Sequence, residues 1–252
     1  MTVEMIALII SAIVTIILPL VVMVVTLKKN KEHFKSLILL FLCGGLIYAV
    51  MQWGIKEHGL KWLFNNTELM QFMKTYYILY LFLVAFVGAT LTVIGLWVVV
   101  RFLFKCRLSV CKALSLALGY IMTEGTWLVG ARSINTIIEM AKGSTATLDV
   151  STGELFLSSY ERVLLLIIEV ALVVVFSYFV QRKMPIRGIF ITILCFTCIA
   201  FFPGFFIAFT LPDYLEVFDR SIALTMVYII LTAAAFASVV ILRVCKNLFD
   251  ED

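Results

Sequence analysis

The chain has 252 residues, 63% of them apolar and only 14% charged, with a mean hydropathy of +1.10. That balance excludes a soluble globular fold, and the missing in-out alternation of barrel strands leaves helices as the spanning elements. Runs of roughly 20 apolar residues, enough to cross about 30 Å of hydrocarbon as a helix, recur along almost the whole chain. The net charge of +4 gives no reason to invoke nucleic acid, because the basic residues sit between the apolar runs.

In chain order, seven transmembrane helices are predicted at 3–27, 36–54, 75–100, 109–130, 160–180, 188–211 and 221–243. The expected fold is an all-α polytopic bundle forming a single integral membrane domain over residues 1–252. The first run, opening "MTVEMIALII", lacks the basic residues of a signal peptide and is too long for one, so it is expected to stay in the mature chain. Pro19 interrupts it, and Pro203 in "FFPGFF" interrupts the sixth; each removes a backbone hydrogen bond and is expected to bend its helix.

Between the second and third spans, segment 55–74 mixes Trp62, Leu69, Met70 and Phe72 with charges, the pattern of an amphipathic helix lying at the interface. "NNT" at 65–67 matches a glycosylation acceptor, a short pattern that chance also produces. The outer segment 131–159 is expected to prolong a helix through Ile134, Ile137 and Ile138 and then to become a flexible connector at "GSTATLDVSTG". No repeat divides the chain into two similar halves, the mark of many inverted-repeat transporters.

Basic residues sort the linkers. Lys28, Lys29, Lys31, Lys35, Arg101, Lys105, Arg107, Arg182, Lys183, Arg187, Arg243 and Lys246 fall on one side. Lys56, Lys61, Lys74, Arg132, Lys142 and Arg220 fall on the other. The positive-inside bias then places the N-terminus outside and the "NLFDED" tail in the cytoplasm, in a multi-pass protein of the cell membrane. Cys43, Cys195 and Cys198 lie inside spans and Cys106, Cys111 and Cys245 near the cytoplasmic face, so reduced thiols are expected. "CFTC" at 195–198 has metal-site spacing but reads as packing, and His33 and His58 read as solvated loop residues; no metal or other cofactor is expected.

Four ionisable residues interrupt the apolar runs. Glu124 lies in "GYIMTEGTW", and Glu161, Arg162 and Glu169 lie in "YERVLLLIIEVALVVVFSYFV". An acidic or basic side chain at the centre of a lone span costs roughly 2.5–3.5 kcal/mol to insert, so these need a compensating interior. At 100° per residue, Arg162 and Glu169 fall within about 20° of one face and about 10.5 Å apart along the axis, with Glu161 about 80° away. The fourth and fifth spans run antiparallel, so Glu124 is expected to meet this sector in a polar cluster. Two close carboxyls resist ionising together, so one is expected to carry a proton near neutral pH while Arg162 stabilises the other. A packing pair of Glu and Arg is the alternative, since polar contacts between spans are ordinary.

The order of these residues resembles the YhfC-type membrane peptidases, a branch of the glutamic-type intramembrane proteases distantly similar to CAAX prenyl-protein endopeptidases. The resemblance covers most of the seven-span layout. It is sharpest in "LALGYIMTEGTW" and "YERVLLLIIEVALVVVFSYFVQRK". It implies that Glu124 activates water and that Glu161 and Arg162 form the Glu-Arg pair of the next catalytic span. Glu169 stands where the family pattern has His, and the His positions expected before Glu124 and in the sixth span are lost. Glutamate-only water activation therefore follows, with Glu124 as base, Glu161 or Glu169 as proton partner and Arg162 or a hydroxyl against the developing negative charge. The implied function is hydrolysis of a transmembrane or lipid-associated peptide. A degenerate relative that binds a membrane peptide, in an immunity or regulatory role, and a proton-coupled transporter are the alternatives.

Overall fold

The computed structural model describes residues 3–103, 108–142, 152–211 and 219–250. It is an all-α bundle: α1 (Val3–Lys29), α2 (Lys31–Trp62), α3 (Thr67–Thr75), α4 (Tyr77–Leu103), α5 (Val110–Gly125), α6 (Ala131–Ala141), α7 (Thr152–Gln181), α8 (Pro185–Ala208) and α9 (Arg220–Asp250). Among the described residues six of these, α1, α2, α4, α7, α8 and α9, are long and apolar enough to cross a membrane. The bundle is consistent with a membrane protein.

The fourth expected span is α5, which falls outside that group: its α-helical part has 16 residues, and Lys112, Thr123 and Glu124 dilute its apolar run. The physical reason is its position. Ala113, Leu116, Ala117 and Leu118 are fully buried, so α5 is surrounded by protein and needs little lipid-compatible surface. Large apolar side chains point outward instead from the neighbouring helices, among them Leu46, Phe86, Phe190, Ile229 and Phe236. Polar residues in a continuous apolar shell must then find partners inside.

The most extensive packing joins α2 to α5. Gly44 and Gly119 make it possible: a Cβ on Gly119 would collide with the carbonyl of Phe41, and one on Gly44 with the carbonyl of Leu116. The two backbones thus touch with no side chain between them, the small-residue packing typical of membrane helices. Leu37, Leu40 and Leu116 close the crossing, and Val173, Val174 and Phe176 of α7 complete the same core. A smaller apolar cluster, with Leu164 and Ile168 of α7 against Val227 and Leu231 of α9, fastens the other side of α7.

Among the described residues four stretches depart from α geometry into π-helix: Ile13–Ile17, Tyr48–Glu57, Val99–Leu103 and Thr126–Gly130. Bonds from i to i+5 widen the helix and recur at functional sites. The first stretch ends next to Pro19, which occupies the first turn of the α-helical part that follows. Pro203 lies inside α8, which continues to Ala208.

Segment 55–74 divides. Its first part continues α2, whose helix runs on through Glu57 to Trp62, and only Thr67–Thr75 forms a separate short helix, capped by the Asn66 side chain accepting from the Glu68 amide at 3.0 Å. Segment 131–159 is helical at both ends, as α6 and as the first turns of α7. The connector at 143–151 lies outside the described residues, as do Lys105, Cys106 and Arg107. Cys43, Cys111, Cys195, Cys198 and Cys245 carry free thiols.

Gly119→Ala is expected to destabilise the bundle by about 1–3 kcal/mol, because the added methyl meets backbone that has no rotamer to yield. Gly59→Ala, where a Cβ meets open space, is expected to leave stability unchanged. Thermal unfolding of both variants in detergent, followed by size-exclusion chromatography, checks the contrast.

Candidate active site

The glycine crossing sets the register of everything polar that follows. One turn beyond Gly44, Tyr48 meets Tyr120 edge-to-face, with ring centroids 5.5 Å apart and planes at 76°. One turn further on α2, Gln52 donates from Nε2 to the Gly88 carbonyl at 2.8 Å and to Thr92 Oγ1 at 2.7 Å. Thr92 Oγ1 lies 3.0 Å from the Tyr120 hydroxyl. These bonds tie α2, α4 and α5 into a satisfied polar network inside the apolar shell.

Glu124 lies one turn beyond Tyr120 on α5. Its Oε1 is 3.7 Å from Arg162 Nη1 of α7, and both side chains are largely enclosed, at 19% and 18% exposure. Glu169, 7% exposed, lines the same two cavities as Glu124. Its Oε2 is buried without a hydrogen-bond partner among the described residues. Arg162, Glu124 and Glu169 therefore meet, as the seven-residue spacing on α7 requires.

The carboxyls open onto a chamber of about 460 Å³, lined by Glu124, Glu161 and Glu169 together with Tyr48, Thr92 and Tyr120. Behind them a cavity of about 10 Å³, close to a single water probe, is bounded by Glu124, Arg162 and Glu169 and by Thr15 and Pro19 of α1. Glu161 lines the chamber beside the pair.

Six further polar residues of the chamber were not singled out by the sequence: Tyr48, Gln52, Lys56, Glu57, Thr92 and Tyr120. Lys56, expected in an outer linker, is carried inward by the continuation of α2. Its Nζ lies so close to Gly88 that a Cβ there would approach it to 2.8 Å. Glu57 accepts from Trp127 Nε1 at 3.2 Å, and Trp127 packs on Trp53 with ring centroids 5.0 Å apart. Gln52 carried the one available signal, an amide within an apolar run. The tyrosines and threonines looked like ordinary span residues.

Among the described residues, no three His, Cys, Asp or Glu side chains are grouped as a metal site needs, Cys195 and Cys198 included. No family model, curated protein or solved structure matches the chain.

The contact between Arg162 and Glu124 is expected to show in a double-mutant cycle of Arg162→Leu and Glu124→Gln, with a coupling energy of about 0.5–3 kcal/mol. Arg162→Leu alone strands two acids in an apolar interior. Adding Glu124→Gln should restore part of the lost thermal stability.

Proposed function

We propose that the chain is an intramembrane hydrolase of the YhfC-type glutamic peptidase kind, acting on a peptide bond of a membrane-associated substrate. The observation that carries this reading is the convergence of Glu124 and Glu169 on one 460 Å³ chamber, with Arg162 3.7 Å from Glu124. Two acids enclosed together resist ionising together, so one of them holds a proton. Such a pair holds an acid and a base at one place, the requirement for activating water and then protonating a leaving amine.

In this mechanism Glu124 takes a proton from a water in the chamber, and the hydroxide oxygen adds to the substrate carbonyl carbon. Glu169 is the proton partner, favoured over Glu161 because it borders both the chamber and the small cavity behind it together with Glu124. The C–N bond then breaks, the amine nitrogen receives a proton from the pair, and the products are a carboxylate and an amine. Negative charge on the tetrahedral oxygen is met by the chamber donors, of which the Tyr120 and Tyr48 hydroxyls and the Lys56 amine are placed along the wall. Arg162 holds Glu124 in place from behind.

The same reading takes the chain as a seven-helix cell-membrane protein, α5 with its π continuation counted as the fourth span, the N-terminus outside and the C-terminus cytoplasmic. The support is the sorting of lysine and arginine between linkers. The chamber then lies toward the outer leaflet.

Purified protein in liposomes is expected to cleave transmembrane or lipid-anchored peptides. Glu124→Gln should lower the rate about 100- to 10,000-fold while the protein remains folded. Wild-type cleavage by that variant would remove Glu124 as the base. Proton or solute flux into the liposomes without any cleavage would instead assign the acids to transport.

A further inference from the structure

A second cavity adjoins the chamber and has the opposite chemistry. It is an apolar groove of about 550 Å³ between the outer end of α2, the short helix α3 and the exposed face of α4. Trp62, Leu69, Phe72, Met73, Leu83 and Val87 line it. Lys56, Leu60 and Val84 border both spaces, so hydrocarbon-compatible surface and acids meet along a shared edge. Beyond that edge the chamber presents four carboxyl side chains, Glu57, Glu124, Glu161 and Glu169, and the Lys56 amine.

From this adjacency we infer that the groove and chamber together bind one straight-chain amphiphile with a cationic head, the chain lying along α4 and the head passing Lys56 into the acidic chamber. The groove fits a chain because its lining is apolar throughout apart from Lys56 and the Tyr80 ring, and because α3 covers one side with Leu69, Phe72 and Met73. The chamber fits a cation because, with one proton shared by Glu124 and Glu169, its carboxyls still carry three negative charges against the two positive charges of Lys56 and Arg162, and opposite charge stabilises more in a site shielded from water than in bulk. A phosphate head would meet the same carboxyls as repulsion. The inference goes beyond the hydrolase reading: it names a lipid-like ligand of the groove and does not depend on cleavage of a peptide.

The test uses full-length protein in dodecyl maltoside with Trp53, Trp97 and Trp127 replaced by Phe, leaving Trp62 of the groove as the fluorophore. It is titrated with dodecylamine brominated at its terminal carbon and, separately, with the dodecyl phosphate brominated at the same place. The expected result is saturable quenching, about tenfold tighter for the amine than for the phosphate. Val87→Phe, a groove-filling change at a half-exposed position, should weaken the amine about tenfold without loss of fold. Quenching that rises linearly with mole fraction, equal affinity for the two heads, or indifference to Val87→Phe would overturn the proposal.

The outcome separates from that of the hydrolase reading. Saturable amine binding that persists in Glu124→Gln, with no cleavage by the wild type, would keep the groove and sink the hydrolysis. Cleavage with non-saturable quenching would do the reverse.

Discussion

The polar network that joins α2, α4 and α5 depends on two helices touching without side chains between them. At Gly44 and Gly119 the backbones of α2 and α5 are in direct contact. Because each helix then advances at a fixed rise and rotation, the next turns are brought face to face as well. Tyr48 meets Tyr120, Gln52 reaches across to Thr92, and Glu124 arrives where α7 presents Arg162 and Glu169. A wider crossing would let apolar side chains or lipid into the gap and leave those groups unsatisfied in an environment with no water to replace them.

Large apolar side chains face outward along the long helices, while Glu124, Arg162 and Glu169 are enclosed within the bundle. An apolar surround offers no hydrogen bonds and makes an unpartnered acid costly. Arg162 and the carboxyl pair offset one another, and the Gln52, Thr92 and Tyr120 network supplies an immediate polar neighbourhood. Further out, Arg220 of α9 meets Glu154 at the start of α7 at 2.8 Å, and the Tyr160 hydroxyl meets Thr232 at 2.9 Å. These two contacts join α7 to α9 at the same end of the helices where the acids lie, so the helix carrying Arg162 and Glu169 is held on both its faces.

Hydrophobic run length was enough to find the helices, and helical rotation was enough to place Arg162 and Glu169 on one stripe that meets Glu124. The limits of the sequence are visible at particular residues. Lys56 and Glu57 looked like linker residues because charge ordinarily ends a span, yet α2 continues through them as a π-helical stretch. Tyr48, Thr92 and Tyr120 gave no signal, since a hydroxyl on a span helix is usually satisfied by its own backbone. Thr92 does make that bond, to the Gly88 carbonyl at 3.1 Å, in addition to the contacts that build the network. The burial of α5 was hidden for another reason: its composition says only that it is less apolar, and that property fits a helix walled in by protein as well as one lying in a loop.

The π-helical stretch from Tyr48 to Glu57 has a geometric consequence of its own. A turn closed by i to i+5 bonding holds about one residue more than the α turn it replaces, and one residue corresponds to a rotation of about 100°. Rewinding even one such turn into α geometry would swing Lys56, Glu57 and Leu60 away from the acids together, as a crank turns everything beyond its elbow. The part of the shared border that Lys56 and Leu60 supply is therefore set by the main-chain winding of α2, with Val84 of α4 completing it.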